Sequence, residues 1–276
     1  MILNAMPYVQ QKIEELKERI ANLDKVPKLA IIQVEGNKAS DKYVQNKMRR
    51  CAEVGIPVEL YFYSQDVESC VIEEKIAQLN SDDTVTGILI QLPLPKQLDP
   101  EFLTSQVCPI KDVDGLSVFN IGRLSQGLYC NVPCTPKGIM ELLDFYDIPV
   151  EGKDVLIIND SNLVGKPLAQ LFLKKGATVT IAHKKTQNLE EKIWNANIVC
   201  TGVGIPNFLG ACDFKDGTVI IDISTNFVDG KLCGDVNKEA YELITRYCDL
   251  TPVPGGVGQT TVMALLDTLV ELVEEE

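Results

Sequence analysis

Tyr43 and Lys47 stand four residues apart, so a helix carries both on one face. A lysine amine desolvated in such a place can move protons near neutral pH, and a tyrosine beside it can position it or a substrate. Gln91 ends an apolar run, Thr86 to Gln91, that reads as a strand. The carboxyl ends of strands are where open α/β sheets bind ligands, and an amide there can hydrogen-bond a flat heterocycle. The acidic turn Lys111-Asp-Val-Asp-Gly115 adds Asp112 and Asp114. Either could anchor a cationic or amino-bearing ring, or the turn is an Asx-turn with no ligand.

A second set suits a dinucleotide. Val155 to Pro167 reads as strand, short turn and helix, a place for phosphate at a helix N-terminus. The GxGxxG spacing is absent and only Gly165 remains, so Asn159, Asp160 and Ser161 also fit an ordinary polar turn. The next strand ends at His183-Lys184-Lys185-Thr186. In dinucleotide folds that end faces the adenosine ribose, where basic groups suit the 2′-phosphate of NADP and a carboxylate suits NAD. Thr251 to Gly258 packs two prolines and three glycines into eight residues, which excludes a helix or a central strand there.

These residues need a frame, and the 276-residue chain is long enough for one large or two modest domains. Helical spacing covers residues 9–23; strands are read at 28–34, 58–63 and 86–91, with helices at 40–54, capped by Ser40, and at 67–79 between them. Residues 119–134 read as an irregular linker. A helix at 136–146 then leads into strands at 154–159, 178–182, 197–200 and 218–222, and a last apolar helix spans 260–273. Alternating strands and helices predict mostly parallel sheets covered on both faces. A net charge of -13 leaves no global basic footprint for nucleic acid, and no apolar run is long enough to span a membrane. The nine cysteines form no CxxC pair, and a single histidine, His183, excludes a multi-histidine metal site. A cytoplasmic protein with reduced thiols fits these features, and no metal is expected.

The segments Ala39-Ser40-x-x-Tyr43-Val44-x-x-Lys47, Gln91 to Pro95, Lys111 to Gly115, Pro133 to Pro136, Val164 to Pro167, Gly234-Asp-Val236 and Thr251 to Gly258 run in order along nearly the whole chain. Together they resemble the bifunctional methylenetetrahydrofolate dehydrogenase/cyclohydrolase family. The resemblance implies oxidation of 5,10-methylenetetrahydrofolate by NAD(P)+ and hydrolysis of the methenyl product to 10-formyltetrahydrofolate. It gives Tyr43 the task of orienting the folate, makes Lys47 the proton carrier tuned by Gln91, and lets Asp114 grip the pterin. Leu92 and the loop Pro254-Gly255-Gly256-Val257 line the same cleft. Asn159, Asp160, Ser161, Gly165, Lys184, Lys185 and Thr225 fall on the cofactor side. Lys38, Lys42, Arg49 and Arg50 either steer the anionic glutamate tail or form a solvated helix face.

Three segments depart from the family pattern. Asn159-Asp160-Ser161 replaces Gly-Arg-Ser, Asp222-Ile-Ser-Thr-Asn226 replaces Asp-Val-Gly-Ile-Asn, and Gln259-Thr-Thr261 replaces Pro-Met-Thr. Asp160 argues for NAD and the two lysines for NADP; NADP is favoured because two cations outweigh one carboxylate. The expected fold is therefore α/β with two domains: an N-terminal three-layer folate-binding catalytic domain, residues 1–119 with the terminal helix 252–276 packing back on it, and a Rossmann-like domain, 120–251, with a cleft between them. A homodimer is expected. The alternatives are a monofunctional NAD-dependent dehydrogenase and a non-catalytic folate- or nucleotide-binding protein; a shikimate-dehydrogenase-like enzyme would leave the Gln91 and Pro-Gly strings unexplained.

Overall fold

The computed structural model describes residues 1–36 and 38–275; Asn37 and Glu276 lie outside it, as do the side chains of Lys38 and Ala39. Contacts divide the chain into two compact units. One holds Gln11–Cys134 and Val262–Glu276, the other Met1–Gln10 and Thr135–Thr261.

The first unit is built on α1 (Ala5–Ala21), β1 (Leu29–Val34), α2 (Lys38–Val54), β2 (Val58–Tyr63), α3 (Ser69–Asn80), β3 (Gly87–Ile90), α4 (Pro100–Ser105) and α5 (Val118–Ser125). The strands run parallel in the order β2-β1-β3. Every residue of β1 is buried. Ala30, Ile32 and Val34 pack with Ile72, Ile76 and Leu79 of α3. Leu29, Ile31 and Leu89 are also buried, so both faces of the sheet are covered and three layers result. Helix α2 starts at Lys38, which puts Ser40 inside the first turn rather than at the cap. Its hydroxyl instead donates to the Leu92 carbonyl, 3.4 Å away.

The stretch read as a linker is partly helical. Ser117 caps α5 by accepting from the Asn120 N–H. Asn120 and Asn131 each donate to Asp112, at 2.9 and 3.0 Å, fastening this stretch to the acidic turn. That is why the division falls at Thr135 and not near residue 120.

The second unit continues with α6 (Cys134–Phe145), β4 (Asp154–Ile158), α7 (Gly165–Lys174), β5 (Thr178–Ala182), α8 (Leu189–Asn195), β6 (Ile198–Thr201), β7 (Val219–Asp222), the hairpin β8 (Asn226–Val228) and β9 (Lys231–Cys233), α9 (Tyr241–Ile244), β10 (Asp249–Leu250) and α10 (Val257–Glu274). Its five strands are parallel in the order β10-β7-β6-β4-β5. Counted from β4 this is the doubly wound order 2-1-3-4-5, whose direction reverses between β4 and β6. Val155 and Ile157 enter one core and Leu156 and Ile158 the other, so this sheet too is covered on both faces. The Pro-Gly loop ends two residues earlier than its composition implies, because Val257 and Gly258 already belong to α10.

Both terminal helices contribute to both units. In the first unit α10 is clamped to α1. The buried Asp267 carboxylate pairs with Lys12 at 2.8 Å and Arg19 at 2.7 Å, and Arg19 also holds Glu274 at 2.7 Å. No described helix is long and apolar enough to cross a membrane.

Candidate active site

In the β2-β1-β3 sheet the winding reverses between β1 and β3, and the candidate catalytic residues gather at that carboxyl edge. Lys47, on the helix after β1, donates from Nζ to Gln91 Oε1 at 3.1 Å. Gln91, just past β3, is buried, and its Nε2 donates to the Leu92 carbonyl at 2.6 Å. The amide is thus oriented: its donor end is used by the backbone and its acceptor end faces the amine. Tyr43 lies one turn before Lys47 and is 37% exposed, leaving its ring open to a flat ligand.

The acidic turn pairs with β3 through a parallel bridge from Asp112 to Ile88. Asp114, two residues on, therefore lies toward the same end of the strand as Gln91. The two aspartates differ sharply. Asp112 is buried and accepts from the Leu116 and Ser117 N–H groups and from Asn120. Burial raises its pKa, and those hydrogen bonds oppose the rise. Asp114 is half-buried and has no hydrogen-bond partner among the described residues. Asp112 is spent on the backbone four and five residues on, a longer reach than an Asx-turn, and Asp114 carries no such commitment.

The cation cluster read on α2 is not uniform. Arg50 is buried and tied to Glu53 at 2.7 Å, which removes it from any exposed steering surface. Arg49 and Lys42 are exposed, and the side chain of Lys38 lies outside the described residues.

In the five-stranded unit the β4 turn is closed by its own side chains. Asn159 Oδ1 accepts from the Ser161 N–H at 3.0 Å, the Ser161 hydroxyl at 2.6 Å and the Gly165 N–H at 3.1 Å. Ser161 Oγ accepts from Val164 N–H, and the Lys166 N–H goes to the Ser161 carbonyl. The amides of Ser161, Val164, Gly165 and Lys166 are therefore taken, and a phosphate cannot sit on them as it does on a glycine-rich fingerprint. Gly165 is required for another reason: a Cβ there would overlap the Asn159 carbonyl. Lys184 and Lys185 are exposed in the turn after β5, which is closed by the Thr186 N–H to the His183 carbonyl. Ile158 pairs with Ala182, so Asp160 and the lysines leave the sheet side by side.

The loop after β6 is held by a carboxylate from the Gly234-Asp-Val236 string, to which the sequence assigns no task of its own. Asp235, fully buried, accepts from the Val203, Gly204 and Ile205 N–H groups at 2.7, 3.0 and 3.0 Å and from the Thr201 hydroxyl at 2.8 Å. Asp222, at the end of β7, accepts from the Ser224, Asp235 and Val236 N–H groups. Burial pushes its pKa up to about 6 against the pull of those bonds. A Cβ on Gly234 would strike the Asp222 carboxylate, which explains the Gly-Asp-Val string. Two positions that depart from the family pattern meet this loop. Asn159 Nδ2 donates to the Gly202 carbonyl at 2.7 Å, and Ser224 Oγ accepts from Gly204 N–H at 3.0 Å. Thr225 is exposed just beyond.

The Pro-Gly loop belongs to this same unit. Thr251 fixes its start, with its hydroxyl accepting from Asp222 N–H at 2.8 Å. Gly255 takes a φ of 106°, open to glycine, while its carbonyl receives Ala5 N–H. The Val257 side chain packs in the core with Leu3 and Ile139, so only its backbone can face a ligand. Thr260 and Thr261 both donate back to the Val257 carbonyl, capping the new helix from within.

A profile described as "Tetrahydrofolate dehydrogenase/cyclohydrolase, catalytic domain" matches residues 3–114, and one described as the NAD(P)-binding domain of the same enzyme matches residues 133–276. The chain belongs to the tetrahydrofolate dehydrogenase/cyclohydrolase family. The bifunctional protein FolD of Clostridium novyi (strain NT) is 42% identical over 266 residues, 94% of each chain. The crystal structure of the bifunctional FolD from Campylobacter jejuni superposes with a TM-score of 0.96 at 37% identity, covering 100% of this chain and 99% of that one. That of the Trypanosoma brucei enzyme, complexed with NADP and an inhibitor, gives 0.93 at 28% identity, covering 100% and 97%. In family terms the Lys47–Gln91 pair lies within the matched catalytic domain. The clasped β4 and β6 loops lie within the matched NAD(P)-binding domain.

Proposed function

We infer that this chain oxidises 5,10-methylenetetrahydrofolate to the 5,10-methenyl form with NADP+ and hydrolyses the product to 10-formyltetrahydrofolate. The observation that carries the reading is the Lys47–Gln91 hydrogen bond at the carboxyl edge of the first sheet. An uncommitted Asp114 lies toward the same strand end.

The five-stranded unit fits a dinucleotide at the reversal between β4 and β6. Gly165 allows the close strand–helix approach there, and two exposed lysines stand at the β5 end. When bound, the nicotinamide supplies the hydride acceptor. The remaining work falls to side chains. Asp114 holds the amino-bearing edge of the pterin and Tyr43 its face, fixing the one-carbon unit in place. Loss of hydride leaves a cation spread over N5 and N10. Water then attacks its carbon, and Lys47 Nζ takes the water's proton. That proton goes to N5 as the carbon–N5 bond breaks, and the remaining hydroxyl proton passes to solvent as the carbon–oxygen double bond forms, leaving the formyl group on N10. Gln91 Oε1 holds the amine in position throughout.

Lys184 and Lys185 have no carboxylate partner among the described residues, which supports recognition of the 2′-phosphate of NADP. Asp160 is exposed, so solvent screens its repulsion. A cytoplasmic homodimer completes the reading. The dimer is supported by the open β5 edge, where Ile181 is 38% exposed, and by exposed Phe227 and Val228 on the hairpin.

Steady-state assays with NADP+ and with NAD+ test the assignment. Turnover to 10-formyltetrahydrofolate with NADP+ preferred supports it. Turnover with NAD+ alone would assign cofactor choice to Asp160. Folate binding without turnover would leave a binding protein.

A further inference from the structure

The β6 loop, residues 202–205, is held from three sides. Asp235 takes the Val203, Gly204 and Ile205 N–H groups. Ser224 Oγ shares the Gly204 N–H at 3.0 Å. Across the sheet reversal Asn159 Nδ2 grips the Gly202 carbonyl at 2.7 Å, while its Oδ1 caps the start of α7. One side chain thus sets the distance between the two loops that flank the reversal. The loop has spent its donors on the protein, and the Val203 and Gly204 carbonyls have no partner among the described residues. A loop of that kind is preorganised and offers acceptors alone.

We propose that Asn159 and Ser224 are positioning residues for hydride transfer: they fix the β6 loop as a rigid, acceptor-only wall against the cofactor. The inference rests on the dinucleotide reading of this unit. Neither side chain has to touch the cofactor, since both act through the loop backbone. Rigid fixing matters because hydride transfer depends steeply on the orientation of the two carbons.

Asn159→Asp keeps the Oδ1 cap but replaces the donor to Gly202 by a carboxylate oxygen. Ser224→Ala removes only the acceptor. Each is assayed for dehydrogenase kcat and KM with NADP+, for hydrolysis of 5,10-methenyltetrahydrofolate without nucleotide, and for thermal unfolding. We expect dehydrogenase kcat/KM for NADP+ to fall about tenfold in Asn159→Asp and about threefold in Ser224→Ala, the scale of one buried hydrogen bond. Hydrolysis should stay at the wild-type rate. Unchanged dehydrogenase kinetics, or equal loss of both activities alongside a lower unfolding midpoint, would overturn the proposal. A wild type that turns over with NADP+ while the variants match it sinks only this inference. A wild type inert with both nucleotides sinks the functional reading itself.

Discussion

At the scale of single residues, commitment separates positions that composition alone leaves equal. Asp112 and Asp114 are chemically identical in the sequence, yet one is consumed by a turn and the other is not. Asn159 spends both ends of its side-chain amide on the protein. Lys184 and Lys185 are the reverse case, two exposed cations with no carboxylate partner among the described residues. Replacing both with alanine should lower the NADP+ over NAD+ ratio of kcat/KM by about ten- to a hundredfold, since each charge on a phosphate is worth about 1 kcal/mol or more. An unchanged ratio would move 2′-phosphate recognition elsewhere.

At the scale of elements, two buried carboxylates hold pieces far apart in sequence. Asp267 sits 4% exposed between Lys12 and Arg19. Asp267→Ala should cost about 2–3 kcal/mol in urea unfolding, because it leaves two partly buried cations short of a partner. A loss under about 0.5 kcal/mol would mark the pair as solvent-screened. Asp222 makes a pH prediction. Its carboxyl titrates near 6 when folded and about 4 when unfolded. Between those values the folded state holds the extra proton, so this group's contribution to stability falls as pH rises through the window and is level above it. The difference is about 3 kcal/mol at most. Asp222→Asn lacks this dependence, so relative to wild type it should gain stability from pH 4 to pH 7. Parallel unfolding profiles would contradict the assignment. The strands and helices around these residues are legible in the sequence because alternation and helical spacing are local signals. The start of α2, helix α5 and the Asp222–Asp235 network are not. Ser40 meets Leu92, and Asp235 meets the loop after β6, at separations of thirty residues or more, while α5 is fastened by side-chain bonds to Asp112; neither kind of contact leaves a periodicity.

At the scale of the whole molecule, two parallel sheets each place their polar machinery where the winding reverses. In each, one side-chain hydrogen bond joins the flanking segments: Lys47 to Gln91 and Asn159 to Gly202. The family was legible because its motifs keep their order over the full length, while the clasp across β4 and β6 was not, because it arises from residues at which this chain departs from the pattern. Sedimentation at micromolar concentration should give a dimer, and Ile181→Asp on the β5 edge should shift it toward monomer; a wild-type monomer would remove the homodimer from the account. The role of Lys47 is tested by hydrolysis of 5,10-methenyltetrahydrofolate by wild type and Lys47→Ala, with folate binding measured in parallel. Wild type should hydrolyse it rapidly and the variant should lose at least about a hundredfold, the scale of a general acid–base group, with the folate still bound. Hydrolysis at the wild-type rate by Lys47→Ala would contradict that role.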